Sequence, residues 1–143
     1  MKNDENPFNA ISPVVVALAL GIFGVELVLM VADRGIIGGA SGVGWRVEAF
    51  QSFAFFGPVL DFMIEIGGFT VKDTLRFVTY PFVHYGFLHA VFVIVFVLAL
   101  GKMVSETVSS GAVCIIFFGS AAVGALTYAA LLNDPSPMVG GRT

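Results

Sequence analysis

A chain of 143 residues that is 57% hydrophobic and only 12% charged, with a mean hydropathy of +0.94, falls outside the range of soluble globular domains. Seven basic residues against ten acidic ones give a net charge of −3, and no basic patch is present, which argues against nucleic acid as a partner. A single cysteine, Cys114, excludes an intrachain disulfide.

The polar opening "MKNDENP" has no basic stretch and no small-residue cleavage site. The apolar run behind it is too long for a signal-peptide core, so a retained membrane span is expected over about residues 11–31. Ser12 stands where an N-cap belongs, and Pro13 fits the first helical position, where its missing N–H costs nothing. Glu26 is the lone carboxylate inside this span. A carboxylate at membrane depth is by default a functional residue in search of a partner, here a proton path or the Arg of a second protein. Its nearness to Asp33-Arg34 offers partial hydration instead.

About fifty residues follow, 34–83, too apolar for a solvated loop and too broken for a span. In "GWRVEAFQSFAFFGPVLDFMIEIGGF", Arg46, Glu48, Asp61 and Glu65 alternate with phenylalanines, a pattern of short amphipathic helices at a membrane interface. Gly57-Pro58 separates two such pieces, and Gly67-Gly68 ends the second. Arg34, Arg46, Lys72 and Arg76 lie in this loop against Lys2 and Lys102 on the other side. A positive-inside count would place the loop in the cytoplasm, whereas interfacial arginines would anchor at headgroups and carry no such information. The glycines of "RGIIGGASGVGWR" fit a tight turn, since no strand precedes them as a phosphate loop would need.

A second span is expected over residues 85–104 and a third over 111–132. The second opens with both of the chain's histidines, His84 and His89. Five residues apart on one helix, they would point about 140° away from each other, and no further ligand stands at matching spacing, so no metal site and no cofactor is expected. The third span carries Ser120, Ala121, Gly124 and Ala125, small residues at the i, i+4 spacing that lets helices approach closely, within the chain or toward a partner. Tyr128 near its end reads as an interfacial anchor.

The run "RFVTYPFVHYGFLHAVF", with an Arg, a Thr and two histidines in order, resembles the mouth of the second membrane helix of rhomboid intramembrane serine proteases. The order of features agrees: a first span, a long loop bearing the pair Trp45-Arg46, a histidine-bearing span closing on Gly101 and Glu106, then a span of small residues. The resemblance implies an all-α integral membrane protein of three helices, a single domain over 1–143 similar to the first half of a rhomboid, multi-pass and placed in a bacterial inner membrane. It also implies that His89 and the residue four positions on would hold an oxyanion, with His84 beside them. Where the family has Asn at that place this chain has Val93, which offers no donor. Laying the family's Gly-x-Ser-Gly on the last four residues puts Arg142 at the serine, and no third histidine stands as base. Glu106 lies one residue later than the family's spacing from Gly101.

Two functions therefore remain open. One is an inert rhomboid-like protein that lies among membrane lipids and binds the transmembrane helices of a partner, or serves as an accessory subunit of a larger membrane complex, with Glu26, Ser120 and Gly124 as contact candidates. The other is a part of an active rhomboid protease whose nucleophile and base lie outside these residues.

Overall fold

The computed structural model describes residues 10–131 and 138–140. Seven α-helices occur among them: α1 (Pro13–Asp33), α2 (Gly39–Gly42), α3 (Trp45–Phe53), α4 (Gly57–Ile66), α5 (Val71–Thr79), α6 (Phe87–Ser105) and α7 (Ser110–Leu131). A 3-10 turn, Tyr80–Phe82, joins α5 to the segment ahead of α6. The only extended pairing among the described residues is an isolated antiparallel bridge between Phe55 and Met138.

Three helices, α1, α6 and α7, are long and apolar enough to cross a membrane, with 21, 19 and 22 residues. At 1.5 Å per residue they run roughly 28 to 33 Å, the thickness of a hydrocarbon core. The chain is thus an all-α, multi-pass membrane protein, as the sequence led us to expect. Pro13 sits in the first turn of α1, although Ser12 makes no side-chain cap. One stripe of α1 (Val15, Leu18, Ile22, Glu26, Leu29) is buried, spaced by three and four residues along one helical face. That stripe packs mainly on α6. The two helices come close at Gly101, where an added Cβ would stand 2.7 Å from Cγ1 of Val15. Most large residues of α6, among them Leu88, Phe92 and Phe96, are turned outward, which suits a helix meeting lipid.

The stretch between the first two spans is a chain of short helices folded against the bundle, α3 on α1 and both α4 and α5 on α7. Glycines set its breaks: Gly67 takes a left-handed conformation (φ 65°) to end α4, while Thr70 caps α5 by accepting from the Asp73 N–H at 3.3 Å. The expected headgroup anchoring by arginine is corrected at two positions. Arg46 turns inward to α1, and Arg76, 7% exposed, donates to the backbone carbonyls of Ala54 (2.8 Å) and Gln51 (2.7 Å). Loop carbonyls left without partners near lipid are costly, and a five-donor guanidinium satisfies several at once.

The core of this end of the bundle joins Phe55, Tyr80, Ala121, Ala125 and Met138, with Tyr128 packed against it. The small residues of α7 are used here: Ala121 and Ala125 are buried, and the Tyr80 hydroxyl donates to the Ala121 carbonyl at 2.8 Å. Residues 138–140 are stitched in by backbone bonds, Met138 to and from Phe55 (2.7 and 3.1 Å) and the Gly140 N–H to the Val83 carbonyl (2.9 Å).

Candidate functional site

The site forms where α1, α3, the 3-10 turn and the start of α6 meet. His84 does not belong to α6. Pro81 in the 3-10 turn, extended backbone at Val83 and fully extended Gly86 hold the chain off helix until Phe87. The helical-wheel separation of the two histidines is corrected accordingly: their rings meet edge to face at 5.3 Å, and Tyr85 stacks on His89 at 6.2 Å.

His84 is fully buried, and apart from a weak interaction with the Phe82 backbone neither of its ring nitrogens makes a well-aligned hydrogen bond; Nδ1 of His89 is buried and unpartnered as well. Burial above all, with the neighbouring His89 imidazole and, more weakly, the Arg46 guanidinium, pushes the His84 pKa down to about 4 against a pull upward from the Phe82 backbone. His84 is therefore neutral at physiological pH, with one donor and one acceptor on its ring. Gly140 lies directly against it: a Cβ there would stand 2.7 Å from Nε2 of His84, so only glycine admits the backbone so near.

Arg46 is the hub beneath the histidines. It reaches both carboxylate oxygens of Glu26 (2.9 and 3.0 Å), Oδ2 of Asp33 (2.6 Å) and the backbone carbonyl of His84 (2.9 Å). Burial alone would lower its pKa, and the bonds to Glu26 and Asp33 outweigh it, so the guanidinium stands above its usual value and stays charged. Glu26 is 1% exposed, which overturns the partial hydration considered for it, and the chain's own Arg46 takes the place of a second protein's arginine. Asp33 was not singled out from the sequence. Its signal was there, because seven residues after Glu26 is two turns along the same face of α1.

Val93 lies one turn below His89 on α6, and both line an apolar groove of about 530 Å³ between α1, α6 and α7. The groove continues down α6 past Phe96 and Leu100 to Val104, with Val15 and Leu18 of α1 at its foot and Ile116, Phe117 and Ser120 of α7 along its side. Ser120 is exposed there and donates to the Phe117 carbonyl at 2.9 Å. Gly124 faces the Tyr80 hydroxyl, 3.5 Å from where its Cβ would stand. Trp45 opens α3 beside Arg46 and packs its ring over Gly38. Glu106 is the exposed C-cap of α6, remote from the histidines. Arg142 lies outside the described residues. No group of three or more metal-ligating side chains occurs among the described residues.

Residues 71–141, which carry α5, α6, α7 and both histidines, match the family model of the Rhomboid domain. No curated protein and no solved structure matches the chain.

Proposed function

The chain belongs to the rhomboid family, and from that premise we propose that it is a catalytically inert member, one membrane domain that works by binding the transmembrane helices of a partner or of a larger complex. The observation that carries this reading is Val93. It faces the groove one turn from His89, where the family resemblance calls for an oxyanion-holding Asn, and it brings two methyl groups and no donor. Losing one such donor typically lowers a rate by about 10² to 10³. The outward apolar face of α6, where Leu88 is 70%, Phe92 58% and Phe96 62% exposed, supports helix binding as the remaining work. Helical spans rather than a barrel support an inner-membrane setting.

The test is activity and labelling of the full chain in liposomes. A fluorophosphonate probe and a transmembrane substrate are expected to give no adduct and no cleavage, while a photocrosslinker placed at Leu88 in native membranes gives one discrete adduct. Cleavage at a defined bond would sink the proposal. A second reading, part of an active rhomboid protease whose nucleophile and base lie outside this chain, is supported by the unpartnered Nδ1 of His89 and would be favoured by fluorophosphonate labelling of the native protein where this chain alone takes none.

A further inference from the structure

We infer that residues 138–140 form a strap that acid releases: protonation of the buried His84 imidazole drives the strap off the loop and opens the pocket holding the two histidines. The inference is independent of the proposed partner binding, which uses the outward face of α6.

The strap is held by few bonds and forms one wall of His84. Met138 exchanges two backbone bonds with Phe55 (2.7 and 3.1 Å), and the Gly140 N–H donates to the Val83 carbonyl at 2.9 Å. Met138 and Val139 are buried. Gly140 is pressed against the imidazole: a Cβ added there would stand 2.7 Å from Nε2 of His84, and closer still to the Pro81 carbonyl oxygen. The other walls are tied more firmly. Arg46 fastens α3 to α1 through Glu26 and Asp33, and each membrane helix satisfies its own backbone, so neither depends on the strap. Local opening takes the segment with the fewest ties.

The surroundings of the ring make this wall acid-sensitive. An imidazolium carries two N–H donors, and around His84 the Phe82 backbone offers only one weak interaction. The ionisable groups on the packed elements supply no acceptor. His89 of α6 meets the ring edge to face at 5.3 Å and, like Arg46 of α3, disfavours a positive charge there. Both oxygens of Glu26 and Oδ2 of Asp33, on α1, are already bonded to Arg46. Tyr80 of the 3-10 turn gives its hydroxyl to the Ala121 carbonyl, Tyr85 stacks on His89, and residues 138–140 bring no ionisable side chain. A buried cation short of acceptors is costly, and moving the least-tied wall admits water to Nε2. The open ring regains an ordinary pKa of about 6.5, against about 4 when closed. Because the closed pKa is the lower one, closure is favoured above pH 6.5 and is lost progressively as the pH falls toward 4. Between pH 7 and pH 5 the opening constant should rise roughly twentyfold.

The experiment is amide hydrogen exchange on the full chain in phosphatidylcholine nanodiscs between pH 7 and pH 4.5, each rate divided by the intrinsic rate at that pH. The amides of Phe55, Met138 and Gly140, which make the strap's three bonds, should open about twentyfold more at pH 5 than at pH 7, while amides within α1, α6 and α7 change less than about twofold. His84→Gln and His84→Phe, neither of which titrates, should each abolish the rise, and His89→Gln should keep most of it. Gly140→Ala, which crowds Nε2, should free the strap already at pH 7. Protection of the α1 and α6 amides at pH 7 confirms folding of each variant. If neither His84 variant folds, the unaltered chain decides alone: the logarithm of the opening constant should climb by about 0.9 between pH 6 and pH 5, the mark of a single proton. A rise that persists without His84, a rise spread evenly over the spans, or an opening constant flat with pH would overturn the inference. The inert-rhomboid reading is unaffected by any of these results, since it stands on protease activity and crosslinking at Leu88.

Discussion

Removing the Glu26 carboxylate breaks the most buried ion pair among the described residues. Glu26 is 1% exposed and meets Arg46, 14% exposed, through two bonds of 2.9 and 3.0 Å, while Asp33 meets the same guanidinium with 35% of its side chain exposed. The two carboxylates should therefore differ in weight. Deleting one partner of a buried pair costs about 3–5 kcal/mol because the other charge is left desolvated, whereas an exposed pair contributes about 0–1 kcal/mol. Glu26→Ala leaves Arg46 its bonds to Asp33 and to the His84 carbonyl, so a loss near the lower bound, about 3 kcal/mol, is expected. Glu26→Gln keeps one acceptor and should cost about 1.5–3 kcal/mol, as for a hydrogen bond to a charged group. Asp33→Asn should cost no more than about 1 kcal/mol. The assay is reversible unfolding in mixed micelles, with a double-mutant cycle on Glu26→Ala and Arg46→Met. Because joint replacement of a buried pair by apolar residues is often near neutral, the double variant should recover most of the loss. If Glu26→Ala cost no more than Asp33→Asn, or if the two changes were additive, the picture of a buried hub would be wrong.

Stability should also fall with acidity through His84. Its folded pKa of about 4 lies below the unfolded value of about 6.5, so below pH 6.5 the unfolded chain binds a proton that the folded one refuses. The native chain should lose about 3 kcal/mol between pH 7 and pH 4 relative to His84→Gln, and a difference that stays flat over that window refutes the assignment. Gly101→Ala should cost about 1–3 kcal/mol by overpacking against Val15, and Val15→Ala in the same chain should relieve it, read by the same unfolding assay. Tyr80→Phe removes the 2.8 Å hydroxyl bond to the Ala121 carbonyl, which keeps its place in the α7 ladder, and should cost about 0.5–1.5 kcal/mol, measurable as a lower unfolding midpoint with an unchanged slope.

The three spans were legible in the sequence because a membrane helix is specified locally: about twenty apolar residues suffice, whatever they later touch. Pro13, Gly57-Pro58 and Gly67-Gly68 marked helix boundaries for the same reason, since the backbone limits of proline and glycine act at their own position. The histidine-bearing run likewise pointed to the family, whose model matches residues 71–141. What the sequence left open was decided by contacts between residues far apart in the chain. Arg46 reaches back 20 residues to Glu26 and forward 38 to His84, and the choice between headgroup anchor and buried hub depends on how α3 folds onto α1. The meeting of the His84 and His89 rings follows from an extended Gly86 that no helical period predicts. The groove follows from how α1, α6 and α7 pack on one another, with α6 meeting Val15 of α1 at Gly101. Hydrophobicity assigned each residue to membrane or interface; the pairing of charges and the shape of the remaining space required the three-dimensional packing.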